Sequence, residues 1–166
     1  MPKKLFKSEK AKTTFKEQRQ DYLHIRHEIF TIYSFSNRKD LADRVFSQYI
    51  RLRHSGIDGY CYCVTCGKKM YRKDAQNWHY RSRSCLKYRF DEHNCHPQCY
   101  NCNINLSGNY RNYHVYMVNT YWNEFEDKLR NDKTTFKITQ QEYENNIMYR
   151  YEEIMRMKNE KRLAKY

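Results

Sequence analysis

Two C-x-x-C pairs, Cys63/Cys66 and Cys99/Cys102, constrain this chain more than any other feature. Four thiolates in two short-spaced pairs suit a tetrahedral structural zinc site in which protein fills every position. Such a site does no chemistry; it pins together two segments that are distant in sequence. The compartment agrees with metal. The basic start, residues 1–12, is followed by no apolar signal region. No apolar run is long enough to span a membrane. An intracellular chain is expected, and there C-x-x-C pairs bind metal more often than they form disulfides. Seven cysteines leave Cys61, Cys85 and Cys95 over. Each is read as a small buried residue. Cys61 competes with Cys63 for zinc, but the C-V-T-C-G-K spacing favours Cys63.

Between and after the knuckles stand His79, in N-W-H-Y-R, and Asn103, directly after Cys102. Hydrolysis of a phosphodiester needs an activated water, stabilisation of developing charge and help for the leaving oxygen. A neutral histidine can take the proton near physiological pH. Mg²⁺ or Mn²⁺ can neutralise the oxygens, and Mg²⁺ needs only one or two protein oxygen ligands, for which an asparagine carbonyl qualifies. His79 is therefore the expected general base, near the ion, and Asn103 the expected ligand of that catalytic ion. A strand ending at His79, packed on a helix that begins near Asn103, would bring both to one phosphate.

The partner follows from charge. The formal net charge is +13, distributed as +7 over residues 1–55, +4 over 56–110 and +2 over 111–166. A field of that sign draws polyanions, nucleic acid above all. Arg81, Arg83 and Arg89, in or beside the loop after His79, are candidate phosphate clamps. Lys68, Lys69, Arg72 and Lys73 are candidates to track the DNA backbone.

Periodicity sets the architecture. Residues 1–14 read as a basic, disordered arm. Tyr22, Ile25, Ile29 and Ile32 predict a helix from Phe15 to about Tyr33. Ser36 or Asn37 is expected to cap a second helix running to about His54, with Leu41, Val45, Tyr49 and Leu52 on one face. Short strands are expected near Tyr60–Cys63, Lys69–Tyr71, Ala75–Tyr80 and Phe90–His96. A short helix, Tyr100–Leu106, should follow the second knuckle. Helical spacing resumes at Tyr113, Met117, Tyr121, Phe125 and Leu129. A T-x-x-E capping box at Thr139 opens a last helix through Tyr143, Ile147, Tyr151 and Ile154. The expected fold is α+β and mainly helical: a zinc-stapled ββα centre (56–110) flanked by helical segments at 15–55 and 111–166.

The run from Lys87 to Asn109, K-Y-R-F-D-E-H-N-C-H-P-Q-C-Y-N-C-N-I-N-L-S-G-N, resembles the NinG, or Rap, recombination nucleases of lambdoid phages. Those carry a C-x-x-C-G knuckle, a histidine followed by tyrosine, and L-R-F-D-E-x-N-C-H-x-Q-C-x-x-C-N-x-x-L-S-G-N. The likeness covers residues 60–110. It implies a ββα-metal (HNH) nuclease acting on branched recombination intermediates such as Holliday junctions and D-loops, with a layout similar to phage endonuclease VII. It also implies a phage-encoded chain working in the host cytoplasm, products with 5′-phosphate and 3′-hydroxyl ends, and Asn94 as the residue that orients the histidine loop. Many HNH members place Asp before the catalytic histidine as a second metal ligand. Here that position is Trp78, which leaves His96, Asp91 and Glu92 as candidate helpers. Two cuts on a two-fold junction imply a homodimer through the tyrosine-rich helices. Two other readings stand beside this one. A zinc-stapled DNA-binding accessory factor would bind without cutting. A sequence-reading HNH enzyme would prefer linear duplex.

Overall fold

The computed structural model describes residues 35–161. The expected basic arm and the helix over 15–33 lie outside the described residues, as do residues 162–166. The chain divides into two units, Met1–Arg38 and Lys39–Tyr166. The cysteine block and the helices after it belong to the second.

Helix α1 (Phe35–Arg53) contains Ser36 and Asn37 rather than starting at them. Its buried face is Ala42, Phe46, Tyr49, Ile50 and Leu52, with Val45 half-buried beside it. Strands β1 (Tyr60–Tyr62) and β2 (Lys69–Tyr71) pair antiparallel, closing the first knuckle into a hairpin. Strand β3 (Gln76–His79) pairs antiparallel with β4 (Cys95–Gln98), with Trp78 opposite His96 and His79 opposite Cys95.

β4 corrects the expected strand at Phe90–His96. Residues 89–94 form turns, and the strand runs on through Pro97 into the knuckle. The cause is Asn94, whose side chain bonds the loop instead of a neighbouring strand. The expected helix at Tyr100–Leu106 is a five-residue π-turn, Asn101–Asn105, in which the Leu106 N–H reaches the Asn101 carbonyl. The L-S-G-N turn then reverses the chain through three left-handed residues, Ser107, Gly108 and Asn109. Only glycine suits the middle position. A Cβ at Gly108 would lie 2.4 Å from Trp78 Nε1.

Helix α2 (Tyr110–Asn131) is broken at Trp122, where φ is 66° and ψ 161°. The half before the break reaches β4, and the half after it reaches the residue that follows β3. Tyr113 and Tyr121 hold His96, while Glu126 accepts a hydrogen bond from Tyr80. Helix α3 (Gln140–Glu160) opens with the expected capping box between Thr139 and Glu142. Ile154 and Met157 of α3 complete the α1 core. Arg150 joins Glu92, which also accepts from Tyr49 of α1 at 2.9 Å. Lys161 caps α1 by donating to the Leu52 carbonyl at 2.6 Å. The 3–4 sheet thus sits between α1 on one face and α2 on the other. Among the described residues, no helix is long and apolar enough to cross a membrane.

This packing makes the fold acid-sensitive. His96 is fully buried, 5.5 Å from the ring of His54. Burial first, and then His54 and neighbouring cations, push His96 down to about 3; burial, Arg53 and Lys161 push His54 down to about 4. Below the ordinary histidine value of about 6.5 the unfolded chain takes up protons that the folded chain refuses. Stability is therefore lost as pH falls from about 6.5 toward 4, by up to ~1.4 kcal/mol per pH unit for each histidine. Denaturant unfolding between pH 7 and 5, with zinc held in excess, should show a shallower dependence in His96→Gln than in the parent. Equal slopes in the two chains would remove His96 from the effect.

Candidate active site and zinc centre

The four knuckle sulfurs, Cys63, Cys66, Cys99 and Cys102, lie within 4.8 Å of one another. Cys66 and Cys99 are 3.8 Å apart, the separation that Zn–S bonds of about 2.3 Å set at the corners of a tetrahedron. The donor set, four sulfurs with none left over, fits zinc. Burial opposes ionisation of Cys63, but hydrogen bonds from Thr65 (3.1 Å) and from backbone N–H groups outweigh it and hold the thiol down to about 6. Asn109 donates to Cys102 Sγ at 3.5 Å, so the turn into α2 also braces a metal ligand. Cys61 is buried beneath the site and stands outside the cluster; Cys95 packs in the α1 core.

His79 closes β3 on the face toward α1, 6.5 Å from the Phe46 ring. Its Nε2 meets the Arg89 carbonyl at 2.9 Å. A carbonyl only accepts, so Nε2 carries the proton and Nδ1 keeps the lone pair. Burial first lowers His79 to about 4; the Arg89 carbonyl opposes this, and Arg83 adds to it. The ring is neutral at physiological pH. Its supporting carbonyl is fixed in turn. The Arg89 guanidinium is 6 % exposed, forms a bidentate pair with Asp43 of α1 and donates to the Arg83 carbonyl at 2.8 Å. Arg89 therefore supports the histidine and is not a phosphate clamp. Asp43, which no sequence pattern pointed to, is the residue that locks it.

Asn94 is fully buried and stitches the loop between His79 and β4. It accepts from the Arg81 N–H at 2.7 Å and donates to the carbonyls of Arg81 (3.0 Å) and Tyr88 (2.9 Å). Asn94→Ala leaves these three backbone groups short of a partner, a loss of roughly 2–4 kcal/mol. Asn94→Asp presents a carboxylate to two carbonyls and should cost at least as much. Denaturant midpoints measure both, and a variant within ~0.5 kcal/mol of the parent would deny Asn94 this role.

Asn103 sits on the opposite side of β3. Its Nδ2 donates to Gln76 Oε1, and its Oδ1 is buried without a hydrogen-bond partner. Gln98 lies directly across from Gln76; it donates to the Gly108 carbonyl at 2.8 Å and leaves its own Oε1 buried and unpartnered. Sequence reading passed over both glutamines. Both unpartnered atoms are amide oxygens, the ligand type that hard divalent cations take. Strand alternation places Gln76 and Trp78 on this face and His79 on the other. Asn103 thus meets β3 at Gln76, three residues before His79, and not at the histidine itself.

The remaining candidates divide. Arg81 donates to the Leu129, Arg130 and Asp132 carbonyls, capping α2. That use takes it out of the expected clamp. Arg83 is exposed. Lys68 is exposed, and Lys69 pairs with Asp58 at 3.4 Å. Asp91 bonds His93, at 2.8 Å to its N–H, and not Arg89. His96 lies between Tyr113 and Tyr121, at 2.8 and 2.9 Å, inside the core. Trp78 packs over Gly108.

These features define a small mixed fold of helices and two-stranded sheets that gathers four cysteines where a metal could bind. The family described as "Bacteriophage Lambda NinG protein" matches residues 2–161, and the chain belongs to that family. Two proteins named "Protein ninG", from Escherichia phage 933W and Enterobacteria phage VT2-Sa, are each 30 % identical over 105 residues, covering 61 % of this chain and 48 % of theirs. The matched stretch spans about half the length of these curated relatives. No solved structure matches the chain.

Proposed function

We propose that this chain is a divalent-metal-dependent DNA endonuclease of the HNH (ββα-metal) class, acting on branched recombination intermediates. The observation that carries the reading is the arrangement at His79. A neutral imidazole at a strand end, its Nε2 committed to the Arg89 carbonyl, presents Nδ1 as a proton acceptor. A histidine with a purely structural task would gain nothing from having its carbonyl partner locked by a buried Asp43–Arg89 pair.

His79 takes the proton of the attacking water at Nδ1. Arg89 and Asp43 keep the ring in one tautomer, and Asn94 holds the loop that carries the Arg89 carbonyl. Asn103 Oδ1 and Gln98 Oε1, on the other face of β3 from His79, would be the oxygens offered to a divalent ion. When bound, Mg²⁺ or Mn²⁺ neutralises charge on the phosphate oxygens. The zinc site sets the start of the turn that carries Asn103. The net charge of +13 supplies long-range attraction for DNA.

The test is cleavage of a labelled four-way junction beside linear duplex and single strand, with Mg²⁺, Mn²⁺ or chelator. Metal-dependent cutting of the junction in preference to duplex is expected. Equal cutting of all substrates discards branch specificity and retains the chemistry. Binding without cutting supports the accessory-factor reading, for which Trp78 in the usual Asp position is the favouring observation.

A further inference from the structure

Two surface cavities meet on the flank of α1. One, of about 140 Å³, is lined by Gln48, Arg51, Arg72, Lys73 and Lys158. The other, of about 430 Å³, shares Gln48 and Arg51 with it and extends past Ser47 to Asp43 and Arg83. Together they form a groove that runs from Lys158 toward Arg83, whose charge acts on His79.

Three features of this groove point to one ligand chemistry. Every charged side chain lining the first cavity is a cation. The carboxylate of the second, Asp43, is already engaged by Arg89. Arg72 is 8 % exposed, and its Nε–H is buried with no hydrogen-bond partner. Arg51 lines the same cavity as Arg72, and burial, then the charge of Arg72, make Arg51 less basic. Two cations held side by side away from bulk water are costly unless an anion joins them, and phosphate oxygens accept from guanidinium N–H groups in that geometry. The groove is also built in advance. Arg51 donates to the Ser47 and Ala75 carbonyls at 3.1 and 3.3 Å, and Arg72 lies over the Tyr71 ring at 5.7 Å.

We infer that this groove is a phosphate-binding track for the backbone of nucleic acid, with Arg51 and Arg72 on one phosphate and Lys73 and Lys158 flanking it. It leads the strand past Arg83 to the catalytic histidine; that direction rests on the nuclease reading, whereas the binding does not. Lys68 and Lys69, on the β1–β2 hairpin, lie outside the track.

Binding is read by fluorescence anisotropy of a labelled duplex across a salt series, in a His79→Ala background so that nothing is cut. Arg72→Gln should weaken binding by about fivefold and reduce the log–log salt slope by about one. The double variant Lys73→Ala/Lys158→Ala should weaken it by about tenfold and reduce the slope by about two. Lys133→Ala, an exposed cation elsewhere, should stay within about twofold. Circular dichroism and zinc content confirm folding. Lys73 is exposed and Lys158 half-buried, so the double variant carries the test if Arg72→Gln misfolds. Inorganic phosphate should raise the melting temperature of the parent and not of the variants. Slopes and affinities equal to the parent overturn the track, as does an equal loss in Lys133→Ala, which would mean bulk charge alone. Loss of the phosphate effect with unchanged DNA binding reassigns the groove to a small anion and also overturns it. Weakened binding in the variants, with no cutting by the chain that retains His79, upholds the track and removes the nuclease reading instead.

Discussion

Cys99→Ser is expected to lose the zinc and unfold the cysteine block, and this is the largest stability effect the structure predicts. Cys99 follows β4 directly and Cys102 lies in the π-turn, while Cys63 and Cys66 lie between β1 and β2. Neither hairpin has more than four residues per strand, and pairs that short do not stand alone in water. A metal held by the four cysteines would join them. Structural zinc sites contribute on the order of 10–16 kcal/mol of binding free energy that becomes folding free energy. The serine variant should hold less than one zinc per chain by elemental analysis and lose the cooperative unfolding of the parent. A chelator should do the same to the parent. Cys61→Ser, next to the site but outside the ligand set, should keep its zinc. A soluble, folded Cys99→Ser chain without metal would make the staple unnecessary.

His79→Ala is expected to abolish cleavage while leaving DNA binding and zinc content intact. Loss of a general base lowers rates by about 10²–10⁴. His79→Gln retains a donor toward the Arg89 carbonyl but offers no basic nitrogen, so it should be as inactive as alanine. The pH profile gives a second reading. Protonation removes the Nδ1 lone pair, and burial holds His79 down to about 4. The cleavage rate should therefore persist as pH falls through 6.5 and decline only near the lower value. A midpoint at the ordinary histidine value would place the base elsewhere, and full activity of His79→Ala would remove it from the mechanism. Asp43→Asn belongs in the same series. It weakens the pair that fixes Arg89, so cleavage should drop more than binding.

Much of this arrangement was readable from residue order. The four-cysteine cluster, the β1 and β2 strands, the strand ending at His79 and the capping box at Thr139 all follow from spacing, because each is a local rule. The misplaced elements have non-local causes. β4 begins five residues late because Asn94 bonds the backbone at positions 81 and 88. α2 breaks at Trp122, between the half that holds His96 and the half that meets Tyr80 just past β3. No pattern in the chain marks either event.

The charged residues show the same division. Composition established that the chain is basic, and the knuckle spacing established four cysteines that could hold a metal. Those properties add over residues or depend on neighbours a few positions apart, so order alone determines them. Which arginine does what was decided only by packing. Arg89 is buried against Asp43, 46 positions away; Arg81 caps a helix 48 positions on; and Arg72 is left beside Arg51 with an unpaired N–H. In the linear chain all four are equivalent solvated cations. The fold separates them because which acceptors lie within reach of each guanidinium is a property of the tertiary structure.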